Sequence, residues 1–109
     1  MSLIHVQTMA RYNRWMNEKV YDGCAALADE DRKRDMGTFF KSIHGTLNHM
    51  LLADRIWMGR FTGAPFPVRS LDQELYADFH VLRDERAAED DRIIDWVAAL
   101  SSEDMEGDL

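Results

Sequence analysis

The chain has 109 residues, of which 46% are hydrophobic, and its formal net charge is −7. This length suffices for one domain with one core, residues 1–109, but not for two. The negative charge repels phosphate backbones, and no cluster of Lys and Arg interleaved with aromatic residues offsets it, so nucleic acid is not an expected ligand. No apolar run approaches the roughly 20 residues that cross a bilayer, so no membrane partner is expected.

The chain has a single cysteine, Cys24, which cannot form an intrachain disulfide. No charged segment followed by an apolar one opens the sequence, so the pattern favours the cytoplasm. Cys24 falls on an apolar stripe with no basic residue at helical spacing on its own face. We therefore expect it to be a buried small hydrophobe and not a nucleophile.

The first predicted helix covers about residues 2–28, because apolar residues recur there at three- and four-residue steps. Its apolar stripe consists of Val6, Met9, Met16, Val20, Cys24 and Leu27. The segment that follows, with Arg32, Lys33 and Arg34 among four acidic residues, is locally neutralised and is expected to be a solvated connection.

A second helix is predicted to open at Gly37 and Thr38 and to stop at the Gly and Pro residues of 63–67. Its buried face should contain Phe40, Ile43, Leu47, Met50, Leu51, Trp57, Met58 and Phe61. For a third helix, Ser70 is the expected N-cap, with Gln73 in the capping-box position. The inner face of that helix should contain Leu75, Phe79, Leu82, Ile93, Val97 and Leu100.

After Leu100 the sequence becomes too polar to pack and too short to add a useful helix, and no strand pattern is found anywhere. The sequence thus predicts an all-α antiparallel bundle with three long helices. Three such helices leave much of their apolar stripes uncovered. We therefore expect either a fourth helix or a second subunit to cover them.

Four histidines are candidate metal ligands, namely His5, His44, His49 and His80. They form neither an HxxxH pair nor an HExxH motif. His44 and His49 are five residues apart, about 140° around a helix, so one ion cannot easily bind both. His49 flanks the apolar stripe while His44 is placed on the outer side, which makes His49 the better candidate. The alternative for His49 is a hydrogen-bonded structural residue.

Asp54 lies inside the apolar stripe of the second helix, where an unpaired carboxylate is costly. A structural salt bridge is the expected explanation, and the candidate partners are Arg55, Arg60, Arg83 and Arg86. Four aromatic residues are expected in the core, although they could instead line a pocket. They are Tyr12, Trp15, Tyr21 and Trp57.

Residues 9–17 contain YNRWMN, and residues 42–60 read SIHGTLNHMLLADRIWMGR. Together they resemble the DinB family, also called YfiT-like putative metal-dependent hydrolases, with its YNxWxN first helix and SIxxTLxHxLxADxxWxxR second helix. The resemblance implies a four-helix bundle. It also implies that His49 corresponds to one of three ligands of a divalent ion, with zinc or nickel as the usual candidates.

The other two ligands of that family come from an HxxxH pair on a fourth helix, which this sequence lacks. Either the chain is a shortened form of a protein that continues past Leu109, which we favour, or it is a three-helix variant that has lost the metal. The first alternative implies a metal-dependent thiol S-transferase or hydrolase acting with a small thiol. The second implies a non-enzymatic interaction module, expected as a homodimer. Whether His5 or His80 of a second copy completes a site stays open.

Overall fold

The computed structural model describes residues 2–101. Within this range it contains four helices, α1 (Leu3–Ala25), α2 (Asp29–Lys33), α3 (Ile43–Thr62) and α4 (Phe79–Ala98), and no strand beyond an isolated bridge between Thr38 and Lys41. The predicted all-helical bundle with three long helices is confirmed. None of the helices in the described range combines the length and the apolar character that crossing a membrane requires.

Side-chain caps set where the long helices begin. Ser2 accepts a hydrogen bond from the His5 backbone N–H (3.1 Å), and Ser42 accepts one from the Gly45 N–H (2.9 Å). Asp78 accepts from the backbone N–H groups of His80 and Val81 (2.8 and 3.0 Å). Each cap satisfies donors that the first turn of a helix leaves without an intrahelical partner.

The predicted start of the second helix was wrong, since α3 begins at Ile43 and not at Gly37. Residues 36–41 form a turn in which the Met36 N–H donates to the Lys41 carbonyl (2.6 Å). Both Gly37 (φ 75°) and Lys41 (φ 68°) have left-handed backbone conformations, which a helix cannot contain. Phe40 therefore lies before the helix.

The predicted cap of the third helix was also wrong, because α4 begins at Phe79 and is capped by Asp78. The Gln73 side chain accepts from the Arg69 N–H (2.9 Å), so it does not complete a capping box with Ser70. Leu75 lies in the 63–78 connection, yet it packs against the core from there. The capping-box pattern is short, and a turn can use the same side chains.

The segment expected to be a solvated connection contains α2, and Arg32 in it is only 7% exposed. The Arg32 guanidinium lies over the ring of Phe79 (4.1 Å), and Nη1 donates to the Cys24 carbonyl (3.1 Å). Its Nη2 pairs with Asp29 (3.2 Å). A planar cation that stacks and donates at its edges can be buried where a lysine could not. Arg32 thus holds α2 against the end of α1 and the start of α4.

The core lies where α4 packs against both α1 and α3, which contact each other only slightly. It consists of Tyr21, Leu47, Leu51, Phe79 and Leu82. The Tyr21 and Phe79 rings stack with their centroids 5.7 Å apart. The arrangement makes α4 the central helix of the described residues and leaves α1 and α3 as two walls on either side of it.

The 63–78 connection is bound tightly to one side of α3. The Asn48 side chain accepts from the N–H groups of Leu75 and Tyr76 (2.8 and 2.9 Å), and His44 Nε2 donates to the Tyr76 carbonyl (2.8 Å). The expectation that His44 lies on the outer side was wrong, since it is 2% exposed. The connection covers the side of α3 that the helical pattern alone assigns to solvent.

Gly59 permits a second close approach of this connection to α3. A Cβ at Gly59 would lie 2.8 Å from the Ala64 carbonyl oxygen and 2.9 Å from the Phe66 nitrogen, both of them backbone atoms. A Cβ at Gly23, in α1, would have no atom within 4 Å. An alanine should therefore destabilise the fold at Gly59, where backbone atoms are in the way, but not at Gly23.

We expect Gly59→Ala to lower the free energy of unfolding by about 1–3 kcal/mol, because backbone atoms must shift to admit the methyl group. Gly23→Ala is the matched control and should raise it by about 0.5–1 kcal/mol, because alanine loses less backbone entropy in a helix. Urea unfolding followed by circular dichroism measures both. Equal stabilities of the two variants would contradict the close approach at Gly59.

Candidate functional site

An open groove separates α1 from α3, and α4 forms its floor. Its main cavity has a volume of about 450 Å³. The lining residues are mostly apolar, namely Val6, Met9, Ala10, Asn13, Asp54, Trp57, Met58, Phe61, Ile93, Trp96 and Val97. A second cavity of about 250 Å³, also between α1 and α3, includes Val20, Cys24, Thr46 and Met50. We call the two cavities together the α1–α3 groove.

The groove is lined by the stripes that the sequence predicted to be buried. Large apolar side chains on both walls are 38–53% exposed. They are Met9 and Val20 on α1, and Met50, Trp57 and Phe61 on α3. The amphipathic pattern correctly identified an apolar face on each helix. The same pattern does not specify a neighbour, and α4 covers these faces only in part.

The aromatic residues expected in the core divide between two environments. Tyr21 is 2% exposed and belongs to the core, as predicted. Tyr12, Trp15 and Trp57 are 51–60% exposed, so the core prediction was wrong for these three. Trp57 instead lines the groove, which is the pocket alternative.

Cys24 is partly buried at the edge of the second cavity. Burial raises the pKa of its thiol, and the nearby Arg32 only partly opposes this. The prediction of an unreactive cysteine is consistent with this environment, because a thiolate is the nucleophilic form.

A buried ionic network links the three long helices, and Asp54 is its one member that lines the groove. Arg86 Nη2 donates to Asp54 Oδ2 (2.5 Å) and to Asp90 Oδ1 (2.7 Å), and Asn17 Nδ2 donates to Asp90 Oδ1 (3.1 Å). Arg86 and Asp90 are 3% and 2% exposed. The predicted salt bridge of Asp54 is confirmed, with Arg86 as the partner. The network joins one side chain from α1, one from α3 and two from α4.

The environment of this network determines its charge states. Burial raises the pKa of Asp90, although Arg86 and the hydrogen bond from Asn17 oppose the shift. Burial also disfavours the charged guanidinium of Arg86, but Asp54 and Asp90 outweigh it and raise its pKa. Arg86 therefore stays cationic. Burial raises the pKa of Tyr21 to about 12, so its phenol is neutral at physiological pH and does not act as a base.

His49 is held in a defined orientation on α3. Its Nδ1 lies 2.8 Å from the Leu71 carbonyl oxygen, and its ring stacks on Phe40 with the centroids 3.9 Å apart. A carbonyl oxygen accepts hydrogen bonds and cannot donate them, so Nδ1 carries the proton in the neutral ring. Nε2 then has a free lone pair, and it has no hydrogen-bond partner among residues 2–101.

The structure does not bring the other histidines to His49. His44 Nε2 is occupied by the Tyr76 carbonyl, and His5 and His80 are exposed in the first turns of α1 and α4. Across residues 2–101, no three His, Cys, Asp or Glu side chains are placed so that they could share a metal ion. His49 alone does not fit the three-ligand site that a catalytic zinc requires.

Two polar residues central to the site were not identified from the sequence as site residues. Asn48 and Asp90 lie on helices whose polar positions read as solvent-facing, yet they are 1% and 2% exposed. The YNxWxN segment contains Asn17, which binds Asp90, and the second-helix segment contains Asn48. The asparagines in these two segments were therefore the sequence feature that could have indicated the buried polar positions.

Removing the cation at the centre of the network should be strongly destabilising. We expect Arg86→Met to lower the free energy of unfolding by about 3–5 kcal/mol, because it leaves Asp90 buried without its counter-ion. The matched control is Arg14→Met, since the Arg14 side chain is 43% exposed and pairs with Asp91 at 3.4 Å. Arg14→Met should lower the free energy of unfolding by about 1 kcal/mol or less. Denaturant unfolding of both variants measures the difference, and similar losses would contradict a buried network.

A comparison with protein families gives a match over nearly the whole chain. The model of the DinB family matches residues 1–108 of the chain. Neither the search of curated proteins nor the search of solved structures returned a match. Because the family model covers nearly the whole sequence, the chain belongs to the DinB family.

Proposed function

We propose that this DinB-family chain provides one ligand, His49, to a divalent-metal site whose other ligands come from a further helix or from a second copy of the chain. The observation that carries the proposal is the hydrogen bond between His49 Nδ1 and the Leu71 carbonyl. It places the ring proton on Nδ1 and leaves Nε2 unprotonated, which is the form that binds a metal.

The surroundings of His49 also restrict its ring. Metal-binding histidines commonly donate their second N–H to a backbone carbonyl, which fixes both the tautomer and the ring orientation. Leu71 supplies that carbonyl from the 63–78 connection, and the Phe40 ring holds the flat face of the imidazole. These contacts also suit a structural histidine. His49 is partly exposed and its Nε2 is the nitrogen available to a metal, and the metal content of the protein distinguishes the two roles.

A single imidazole does not retain zinc or nickel, and an open catalytic site takes three protein ligands and a water. The proposal therefore requires two further ligands on an element that packs beside α3, on another helix or on a second copy of the chain. The HxxxH pair implied by the family resemblance would satisfy this requirement. A metal-dependent thiol transfer or hydrolysis belongs only to such a completed site, and we assign no catalytic step to residues 2–101.

The proposal predicts that the protein isolated from its natural source contains zinc or nickel and that the metal depends on His49. We expect His49→Asn to lose the bound metal, since the Asn amide can still donate to the Leu71 carbonyl but offers no counterpart of Nε2. His80→Asn is the control and should keep the metal, because His80 is exposed at the start of α4. Elemental analysis by mass spectrometry measures the metal content per chain.

Thermal unfolding of the metal-free proteins shows whether His49→Asn retains the fold. A wild-type protein that stays metal-free after incubation with zinc and nickel would refute the proposal. Full metal retention by a folded His49→Asn variant would do the same.

A further inference from the structure

A small polar cavity lies between α1 and α4, apart from the α1–α3 groove. Its volume is about 40 Å³. Its polar lining consists of Asn17, Glu18 and Tyr21 of α1 and of Arg83, Arg86 and Asp90 of α4. A cavity of roughly 10–15 Å³ already holds one water molecule. The space between α1 and α4 therefore admits one or two molecules of that size.

A buried hydroxyl in this cavity lacks a hydrogen-bond partner among the described residues. Tyr21 is 2% exposed, and its oxygen has no partner within residues 2–101. Besides burial, the charges of Arg86 and Asp90 shift the pKa of this hydroxyl, so both charges lie near it. A hydroxyl that is buried without a hydrogen bond is costly, because it has lost its bonds to solvent and gained none. The cavity thus contains a donor that requires an acceptor.

Asp90 provides an acceptor in the same cavity. Its Oδ1 accepts from Arg86 Nε and Nη2 (3.1 and 2.7 Å) and from Asn17 Nδ2 (3.1 Å). Within residues 2–101, its Oδ2 accepts only from Asn17 Nδ2 (3.2 Å), a donor that it shares with Oδ1. Each carboxylate oxygen can accept about two hydrogen bonds. Oδ2 therefore has capacity for a further donor, although the Tyr21 hydroxyl does not bond to it directly.

From these contacts we propose that the cavity binds an ordered water molecule that bridges Tyr21 and Asp90. The water accepts a hydrogen bond from the Tyr21 hydroxyl and donates one to Asp90 Oδ2. Buried waters in proteins typically bond to polar groups that would otherwise be unpaired. The bridge adds Tyr21 to the buried network and gives α1 a second polar link to α4, beside that of Asn17.

The charges around the cavity select a neutral occupant. A cation would lie close to the Arg86 guanidinium, and an anion would lie close to the carboxylates of Asp90 and Glu18. Either placement brings like charges together in a buried setting, where repulsion is stronger than in water. Water is neutral and can both accept and donate. It therefore matches one hydroxyl donor and one carboxylate acceptor.

Removing the hydroxyl distinguishes a bridged Tyr21 from an unpaired one. With the water bridge, Tyr21→Phe loses a hydrogen bond and should raise the equilibrium constant for unfolding about fivefold. With an unpaired hydroxyl, the same change removes a costly group and should lower that constant. Tyr12→Phe is the matched control and should leave the constant unchanged, since Tyr12 is 60% exposed and does not line the cavity. Urea unfolding followed by circular dichroism measures all three proteins.

A high-resolution crystal structure of the wild-type protein tests the bridge directly. We expect an ordered water within about 2.5–3.0 Å of both Tyr21 Oη and Asp90 Oδ2. A cavity without such a water, or a direct hydrogen bond between Tyr21 and Asp90, would overturn the proposal. So would a Tyr21→Phe variant that is as stable as the wild type or more stable. Neither measurement depends on the metal site proposed for His49.

Discussion

The contact on which the described structure most depends is the one between Arg86 and its two carboxylates. Arg86 on α4 reaches Asp54 on α3, and Asn17 on α1 reaches Asp90 beside it, so a single network ties the three long helices together. This matters because α1 and α3 contact each other only slightly. Buried charges of this kind tolerate few alternative packings, since any shift leaves an ion without a partner. The network thus fixes the positions of both groove walls relative to the floor.

A second constraint acts on the opposite side of α3. His44 and Asn48 bind the backbone of the 63–78 connection near Tyr76, and His49 binds it at Leu71. One face of α3 therefore packs against the 63–78 connection, and another face lines the groove. His49 lies where these two environments meet, next to the groove residue Met50. Its ring is oriented by the connection, while Nε2 has no partner among the described residues.

Family membership and site geometry support different parts of the functional argument. The DinB family match covers residues 1–108 and agrees with the helical bundle, while His49 as a metal ligand stays a proposal. The geometry adds the tautomer of His49 and an open apolar groove between α1 and α3. The metal site proposed for His49 needs further ligands, because one imidazole does not retain zinc or nickel.

The sequence by itself determined the helical class, the three long helices, the apolar stripes of α1 and α3, and Asp54 as a paired carboxylate. These follow from local periodicity and from the high cost of an unpaired charge in an apolar face. The tertiary structure alone decided that Arg86 is the partner of Asp54, that His44 is buried and that Trp57 lines a groove. Each of these three outcomes depends on which distant segment packs against a given face of α3. Periodicity defines a face but not its neighbour, and the 63–78 connection and α4 supply the neighbours from more than 20 residues away.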